Sequence, residues 1–465
     1  MISNMVMDVM SEVLDKVSKN NVYTDLLFDK VESLAIVKDK VEEKIYNPNT
    51  SVGLGIRVFT GDGVWLETAT HNLSDKKKLL DSISKIIQRV KSKNKELKLK
   101  PVKPWHINSE IKTPIPFENI SLEDKLQNVK EAFAIASKTD ERIVNTRIVY
   151  YESLTEKIFI NSEGSNLRQL IPRIRFSVLC VAKDSDKIDY DYLSLGHVGG
   201  YELVKNIRED DITAVGKSAV ELLKASEAPS GQMPVILSPS MTGTFAHESF
   251  GHGCEADQVL RKRSYLINHL GERIAKEDFT LYDDGTYPGG YGTIIFDDEG
   301  VKSSKTVIVE NGVLKTFLHD RLTATVMETE PTGNCRRESF MKKPFVRMTN
   351  TYIAPGDWKL DEMISDIRKG VIMVRFESGM EDPAGGGMQL KAKKGYLIEN
   401  GTITKTLSNL ALTGQVLEFV RDVDAISGRK DFELDSGTCG KGHEDYVPVG
   451  SGGSYIRSKG IISQG

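Results

Sequence analysis

The chain has 465 residues, with 62 Lys and Arg against 66 Asp and Glu, a formal net charge of −4 and a pI near 6.2. Its 39% hydrophobic and 28% charged content is that of an ordinary globular protein, which excludes collagen-like, coiled-coil and extensively disordered architectures. Near-neutral charge argues against a nucleic-acid partner, and the one basic run of note, Lys91–Lys103, reads as a solvated linker.

In chain order, Ile2, Met5, Val6, Val9, Met10, Val13, Leu14 and Val17 fall on one stripe and predict an opening amphipathic helix. From Leu34 to Glu67 the pattern alternates as in strands, broken by a hairpin turn at Gly61-Asp62-Gly63 between Ile56–Phe59 and Val64–Glu67. A second helix is expected on Leu79, Leu80, Ile83, Ile86, Ile87 and Val90, followed by an irregular, proline-marked connector over Lys91–Asn119. Ser121 and Asp124 form a capping-box-like pair ahead of a third helix carrying Leu122, Leu126, Val129 and Phe133. Ile143–Tyr150, Lys157–Ile160, Arg173–Val181 and Ile188–Leu193 read as a β-meander with a turn at Asn161–Gly164. One more helix over about Asp211–Ala225 leads to the linker Ser226–Gln232. The expected class is therefore α+β, with an N-terminal domain over 1–225 and a mostly antiparallel, β-rich C-terminal domain over 233–465 that carries a short helix.

In the second half, Thr306–Phe317 and Tyr396–Leu407 each predict a type I′ hairpin around Asn-Gly, read as two independent uses of a favourable turn. Asp283-Asp284-Gly285 and Asp297-Asp298-Glu299-Gly300 lack the ligand spacing of an EF-hand loop and are expected to be turns. The four cysteines, Cys180, Cys254, Cys335 and Cys439, do not make a disulfide framework in so long a chain and point to a reducing compartment. No apolar run approaches the ~18 residues of a membrane span, and Asp8 and Glu12 interrupt what a signal peptide would keep apolar. A cytoplasmic location without membrane contact is expected.

The chemistry concentrates in His247-Glu248-Ser249-Phe250-Gly251-His252, which follows the apolar strand Pro234–Leu237 and a Ser-Pro-Ser turn whose Thr242 is a candidate helix cap. With 8 His in the chain, His-Glu-x-x-x-His arises by chance only about 0.01 times. Histidines at i and i+4, as in the familiar zinc-peptidase helix, face one ion, whereas i and i+5 lie about 140° apart on an ideal helix. Convergence then requires either a widened π-type turn or unwinding at Gly251, and the glycines at 251 and 253 make such distortion cheap. Glu248, beside the first imidazole, has the placement of a general base. Two histidines leave a catalytic zinc short of a protein ligand. Cys254 is sterically awkward so close to His252. Cys439, in a glycine-bracketed loop with Lys441 nearby to favour a thiolate, is the more suggestive thiol, although taken alone it reads first as an ordinary small core residue.

These motifs resemble the TldD/PmbA family, also called modulators of DNA gyrase, and specifically its TldD-type, metal-bearing members. The resemblance runs through His247–His252 with Gly253, Glu255 and Asp257; Asp283-Asp284-Gly285 with Pro288-Gly289-Gly290; Asp297–Gly300; Glu310-Asn311-Gly312; and Cys439-Gly440-Lys441 leading to Val447-Pro448-Val449-Gly450. It implies a zinc peptidase in which His247, His252 and Cys439 hold the metal and Glu248 is the base. It also implies an active site enclosed in a homodimer or a heterodimer with a metal-free paralogue, acting on unfolded or short peptides. The segment Gly442–Tyr446 is one residue longer than the family pattern and lacks its glutamine. Gly385-Gly386-Gly387-Met388 is a candidate for close substrate approach. The alternatives are a zinc hydrolase of a non-peptide amide and a non-catalytic binding subunit with structural zinc.

Overall fold

The computed structural model describes residues 2–18, 23–61, 63–72, 81 and 97–465. The helix expected around Leu79–Val90 and the first part of the basic run lie outside these residues. The N-terminal half is built on a seven-stranded sheet of β1 (Thr24–Lys38), β2 (Glu43–Phe59), β3 (Trp65–Thr70), β4 (His106–Glu110), β5 (Ile143–Asn161), β6 (Asn166–Asp184) and β7 (Lys187–Val198). Its order is β3-β2-β1-β5-β6-β4, with β7 pairing along the other part of β6. Helix α1 (Ile2–Ser18) places Val6, Val9, Met10 and Val13 against Leu26, Leu54 and Ile158, as its stripe predicts. Helices α2 (Leu122–Ser137) and α3 (Glu209–Leu222) cover the sheet through Val129, Ala132, Val215 and Ala219. The Ser121 hydroxyl accepts the Asp124 backbone N–H, so the N-cap is as read.

Two expectations change here. The connector contains β4, which pairs parallel to β6 from His106 to Glu110, its polar composition suiting an edge. The two short strands expected between Ile143 and Ile160 are one 19-residue strand, β5. The polar stretch that hid its continuity is neutralised by partners: buried Glu152 accepts from Lys125 Nζ at 2.8 Å and from the Tyr150 hydroxyl.

The C-terminal half holds two larger sheets. In chain order its strands are β8 (Ser226–Glu227), β9 (Gly231–Leu237), β10 (Leu281–Asp284), β11 (Lys305–Glu310), β12 (Val313–Leu314), β13 (Cys335–Arg336), β14 (Phe345–Val346), β15 (Asn350–Ile353), β16 (Lys369–Glu381), β17 (Gly387–Glu399), β18 (Thr402–Gln415), β19 (Ala425–Ile426), β20 (Glu433–Lys441), β21 (Glu444–Gly453) and β22 (Ile456–Gln464). One sheet runs β12-β11-β10-β15-β21-β20; the other runs β19-β22-β9-β16-β17-β18-β8, and β18 also pairs with β22, closing five strands into a ring. The supposed linker Ser226–Gln232 thus supplies β8 and the start of β9. Both Asn-Gly hairpins form, with φ of 49° and 79° at Asn311-Gly312 and 50° and 76° at Asn400-Gly401, as a type I′ turn requires.

The acidic motifs do more than turn the chain. Asp283 lies within β10, where its buried carboxylate accepts from Thr349, Thr351 and Asn334. Asp297–Gly300 is a turn, and it clamps the N-terminal sheet: Asp298 pairs with Lys157 at 2.6 Å and Glu299 with Arg57 at 3.2 Å, while Arg57 also holds Asp25 through two bonds. All five of these acids and bases except Lys157 are almost wholly buried, so removing one partner would strand a charge.

Candidate metal centre

Ser238 follows β9 and caps the short helix α4 (Pro239–Thr244), its hydroxyl accepting from the Met241 N–H. The cap is therefore Ser238 and not Thr242, which sits inside the helix with its hydroxyl donated back to the Leu237 carbonyl. Proline at the first helical position makes the earlier residue the natural cap. The helix then widens: Phe245–Gly251 is a π-helix, and the His252 N–H donates to the His247 carbonyl, five residues back. Widening brings residues i and i+5 to one face, the first of the two routes expected. Gly251 keeps helical angles (φ −57°, ψ −48°), so its value is not conformational freedom. A Cβ there would lie 1.8 Å from Met348 Sδ, and one at Gly253 would lie 2.8 Å from the Tyr265 ring. Both glycines make room.

The rings of His247 and His252 end 5.3 Å apart and nearly perpendicular. Cys439 arrives from strand β20, not from the glycine loop expected, and its Sγ lies 3.6 Å from His252 Nε2. One ligand atom from each of His247, His252 and Cys439 falls within 4.8 Å of the others, and among the described residues this is the one such group of His, Cys, Asp or Glu. A sulfur and a nitrogen at tetrahedral angles around zinc stand about 3.6 Å apart, so the donor set and spacing suit that ion. His247 Nδ1 is buried without a hydrogen-bond partner. Cys254 points elsewhere, into the apolar core, fully buried.

Electrostatics separate the groups. Burial would raise the Cys439 pKa, but His247 and His252 hold it well below the ordinary thiol value. Burial opposes charge on His252 as well, yet Glu255 and Cys439 raise it well above the ordinary imidazole. The Glu255 carboxylate stands 3.3 Å from His252 Nδ1 and accepts from Lys441 Nζ at 2.9 Å; Lys441 also donates to Asp257 at 2.7 Å. Against its own burial, Lys441 with His252 brings Glu255 down to about 2. Lys441 therefore acts on the carboxylate that orients His252, and not directly on the thiolate as the sequence suggested. Glu248 Oε2 is 3.9 Å from His252 Nε2, and its side chain stays 34% exposed, open to solvent.

Sequence reasoning missed Glu381 and Tyr265. Glu381, at the end of β16, is pushed up to about 8, chiefly by burial and then by Glu255 and Glu248, despite His252. Tyr265 donates to the Ser249 carbonyl at 2.7 Å and packs against Gly386, whose φ of +73° turns the chain between β16 and β17. An acid in a strand and a tyrosine in a loop carry no motif that would have drawn attention.

A histidine pair on a widened helix and a thiol from β20 converge inside an α+β fold of antiparallel sheets, a donor set of the kind that can hold a metal ion. The comparisons give the family. Residues 230–463 match the PmbA/TldA metallopeptidase C-terminal domain and residues 115–227 its central domain. The chain is 36% identical to a metalloprotease of Methanocaldococcus jannaschii over 97% of this chain and 99% of that one. It is 31% identical to a metalloprotease TldD homologue of Buchnera aphidicola over 97% and 94% of the two chains, and 30% identical to a zinc metalloprotease TldD homologue of Saccharolobus solfataricus over 73% and 76%. The chain belongs to the PmbA/TldD metallopeptidase family. Its fold is shared with a Thermotoga maritima protein described as a modulator of a DNA gyrase (TM-score 0.81, 22% identity, 98% of this chain and 100% of that one) and with TldE from Thermococcus kodakarensis (0.75, 18%, 98% and 100%). Among the described residues no helix is long and apolar enough to cross a membrane.

Proposed function

We propose that this protein is a zinc-dependent metallopeptidase of unfolded or short peptides, with His247, His252 and Cys439 as the metal ligands and Glu248 as general base. The observation that carries the reading is the convergence of two imidazoles and a thiol at 3.6–4.8 Å beside a half-exposed carboxylate. Zinc in such a donor set supplies Lewis acidity toward a carbonyl and lowers the pKa of water. Glu248 is placed to take a proton from attacking water and return it to the leaving amine. Gly379 of β16 leaves its carboxylate space, since a Cβ there would stand 3.3 Å from Glu248 Cγ. Strand β20, which carries Cys439, lies at the end of its sheet, the kind of edge along which an extended peptide aligns, and this favours unfolded substrates over compact ones. The same reading has the protein work in the cytoplasm as a homodimer or with a metal-free paralogue, and TldE is one protein that shares its fold.

The test joins metal analysis to digestion of an unfolded protein. Glu248→Gln is expected to keep zinc and to lose hydrolysis by about 10² or more. Activity within a few-fold of wild type would remove Glu248 from the base role; absence of zinc from wild type would remove the metal reading.

A further inference from the structure

A cavity of about 570 Å³ lies between the N-terminal sheet and the β20–β21 hairpin, on the side of β20 away from the imidazoles. Thr438 lines it, and neighbouring residues of a strand face opposite sides, so Cys439 faces the histidines. Its walls are largely apolar, including Val149, Tyr151, Ile171, Phe296 and Pro448. Tyr446, from the segment that departs from the family pattern, stands at the rim 67% exposed. The volume falls within the range of about 300–1,000 Å³ typical of small-ligand sites.

Most charges lining it are already engaged. Lys157 holds Asp298, Arg173 donates to the Tyr291 and Thr293 carbonyls, Arg336 donates to Met348 and Pro448, and Asp297 accepts three backbone N–H groups. Two groups are not. Arg337 is 4% exposed, and its Nε and Nη2 are buried with no hydrogen-bond partner; no carboxylate of the described residues lies within ion-pair distance. Asp29 is 3% exposed and its Oδ1 is likewise unpartnered. A buried guanidinium left without acceptors costs more than almost any other single polar group unless something fills its fork.

We infer that this cavity is a binding site, separate from the His/His/Cys cluster, for a small molecule that joins a free carboxylate to an apolar body and an N–H donor, the chemistry of a short peptide's C-terminal end. The planar guanidinium of Arg337 matches a carboxylate through paired donors. Asp29 Oδ1 accepts the ligand's N–H, and the apolar walls take its side chain. The nearby Asp29 and Asp298 disfavour a doubly charged phosphate and select a monoanion. The site stands whether or not the metallopeptidase reading holds.

The test is calorimetric titration with N-acetyl-leucine, N-acetyl-leucine amide and inorganic phosphate, with and without phenanthroline to strip the metal. Saturable binding of N-acetyl-leucine that survives phenanthroline is expected, weakened at least about tenfold by the amide or by Arg337→Gln. Should Arg337→Gln fail to fold, Tyr151→Trp, which fills the cavity, is expected to abolish binding instead. Equal binding of acid and amide, phosphate binding tighter than N-acetyl-leucine, loss of binding on removing the metal, or no saturable binding to wild type would each overturn the assignment.

Discussion

Cys254 and Cys439 are both buried in the same core, yet their surroundings push them in opposite directions. Cys254 packs among apolar side chains, its carbonyl accepts from the N–H of Leu318, the residue before His319, and the charges that act on its thiol are carboxylates. Burial, then Glu381, Glu255 and Asp283, raises Cys254 well above the ordinary thiol, and burial alone brings the neighbouring His319 down to about 4. The Cys439 region reverses both signs, because there thiol and imidazole face each other and stabilise the charged forms. Depth in the core is the same in the two regions; the neighbours decide which groups are chemistry and which are packing.

The largest expected break of this contrast is Cys439→Ala, which should release zinc and lower hydrolysis by about 10² or more, whereas Cys254→Ala leaves zinc occupancy unchanged. Metal analysis of the two variants checks it, and zinc loss from Cys254→Ala with retention in Cys439→Ala would invert the assignment. Thiol reactivity should follow: in the metal-stripped protein, iodoacetamide at neutral pH is expected to label Cys439 at least about tenfold faster than Cys254, read by mass spectrometry. Equal rates would mean that the imidazoles do not activate the thiol. A smaller effect is expected from Lys441→Met, which removes the cation holding Glu255 and so loosens the orientation of His252. Zinc affinity should fall about 10- to 100-fold in competition with a chelator, while Cys439 remains a ligand. An unchanged affinity would confine Lys441 to packing.

How much of this was readable beforehand depends on whether a residue's role is local. The amphipathic helix, the Ser121 cap and both Asn-Gly hairpins depend on spacing within a few residues and appear as expected. The i, i+5 pair demanded either a widened turn or unwinding at Gly251, and the chain takes the first. What spacing could not supply was which neighbour a side chain meets across the fold. Gly251 looked like a hinge but is a gap for Met348, and Lys441 looked like the activator of Cys439 but holds Glu255 and Asp257. Asp297–Gly300 looked like a plain turn because its partners, Lys157 and Arg57, are distant in sequence. Glu381 and Arg337 carried no pattern at all.

The finest test concerns His319, where burial acts without a partner of opposite charge. Its ring is 2% exposed and touches only the Thr323 hydroxyl, at 3.3 Å, among the hydrogen bonds of the described residues. The folded pKa of about 4 lies below the ordinary 6.5, so between these values the unfolded chain binds a proton that the folded chain refuses. The stabilisation is therefore complete above pH 6.5 and is lost as pH falls toward 4. One proton over that interval corresponds to about 1 kcal/mol of stability lost between pH 7 and 5.5. Urea unfolding of the metal-stripped wild type and His319→Gln at both pH values isolates it, since every other titrating group is common to the two chains. Wild type should lose about 1 kcal/mol more than the variant; equal losses would show that this imidazole is as well solvated as a free one, and that burial alone does not set the sign in the Cys254 region.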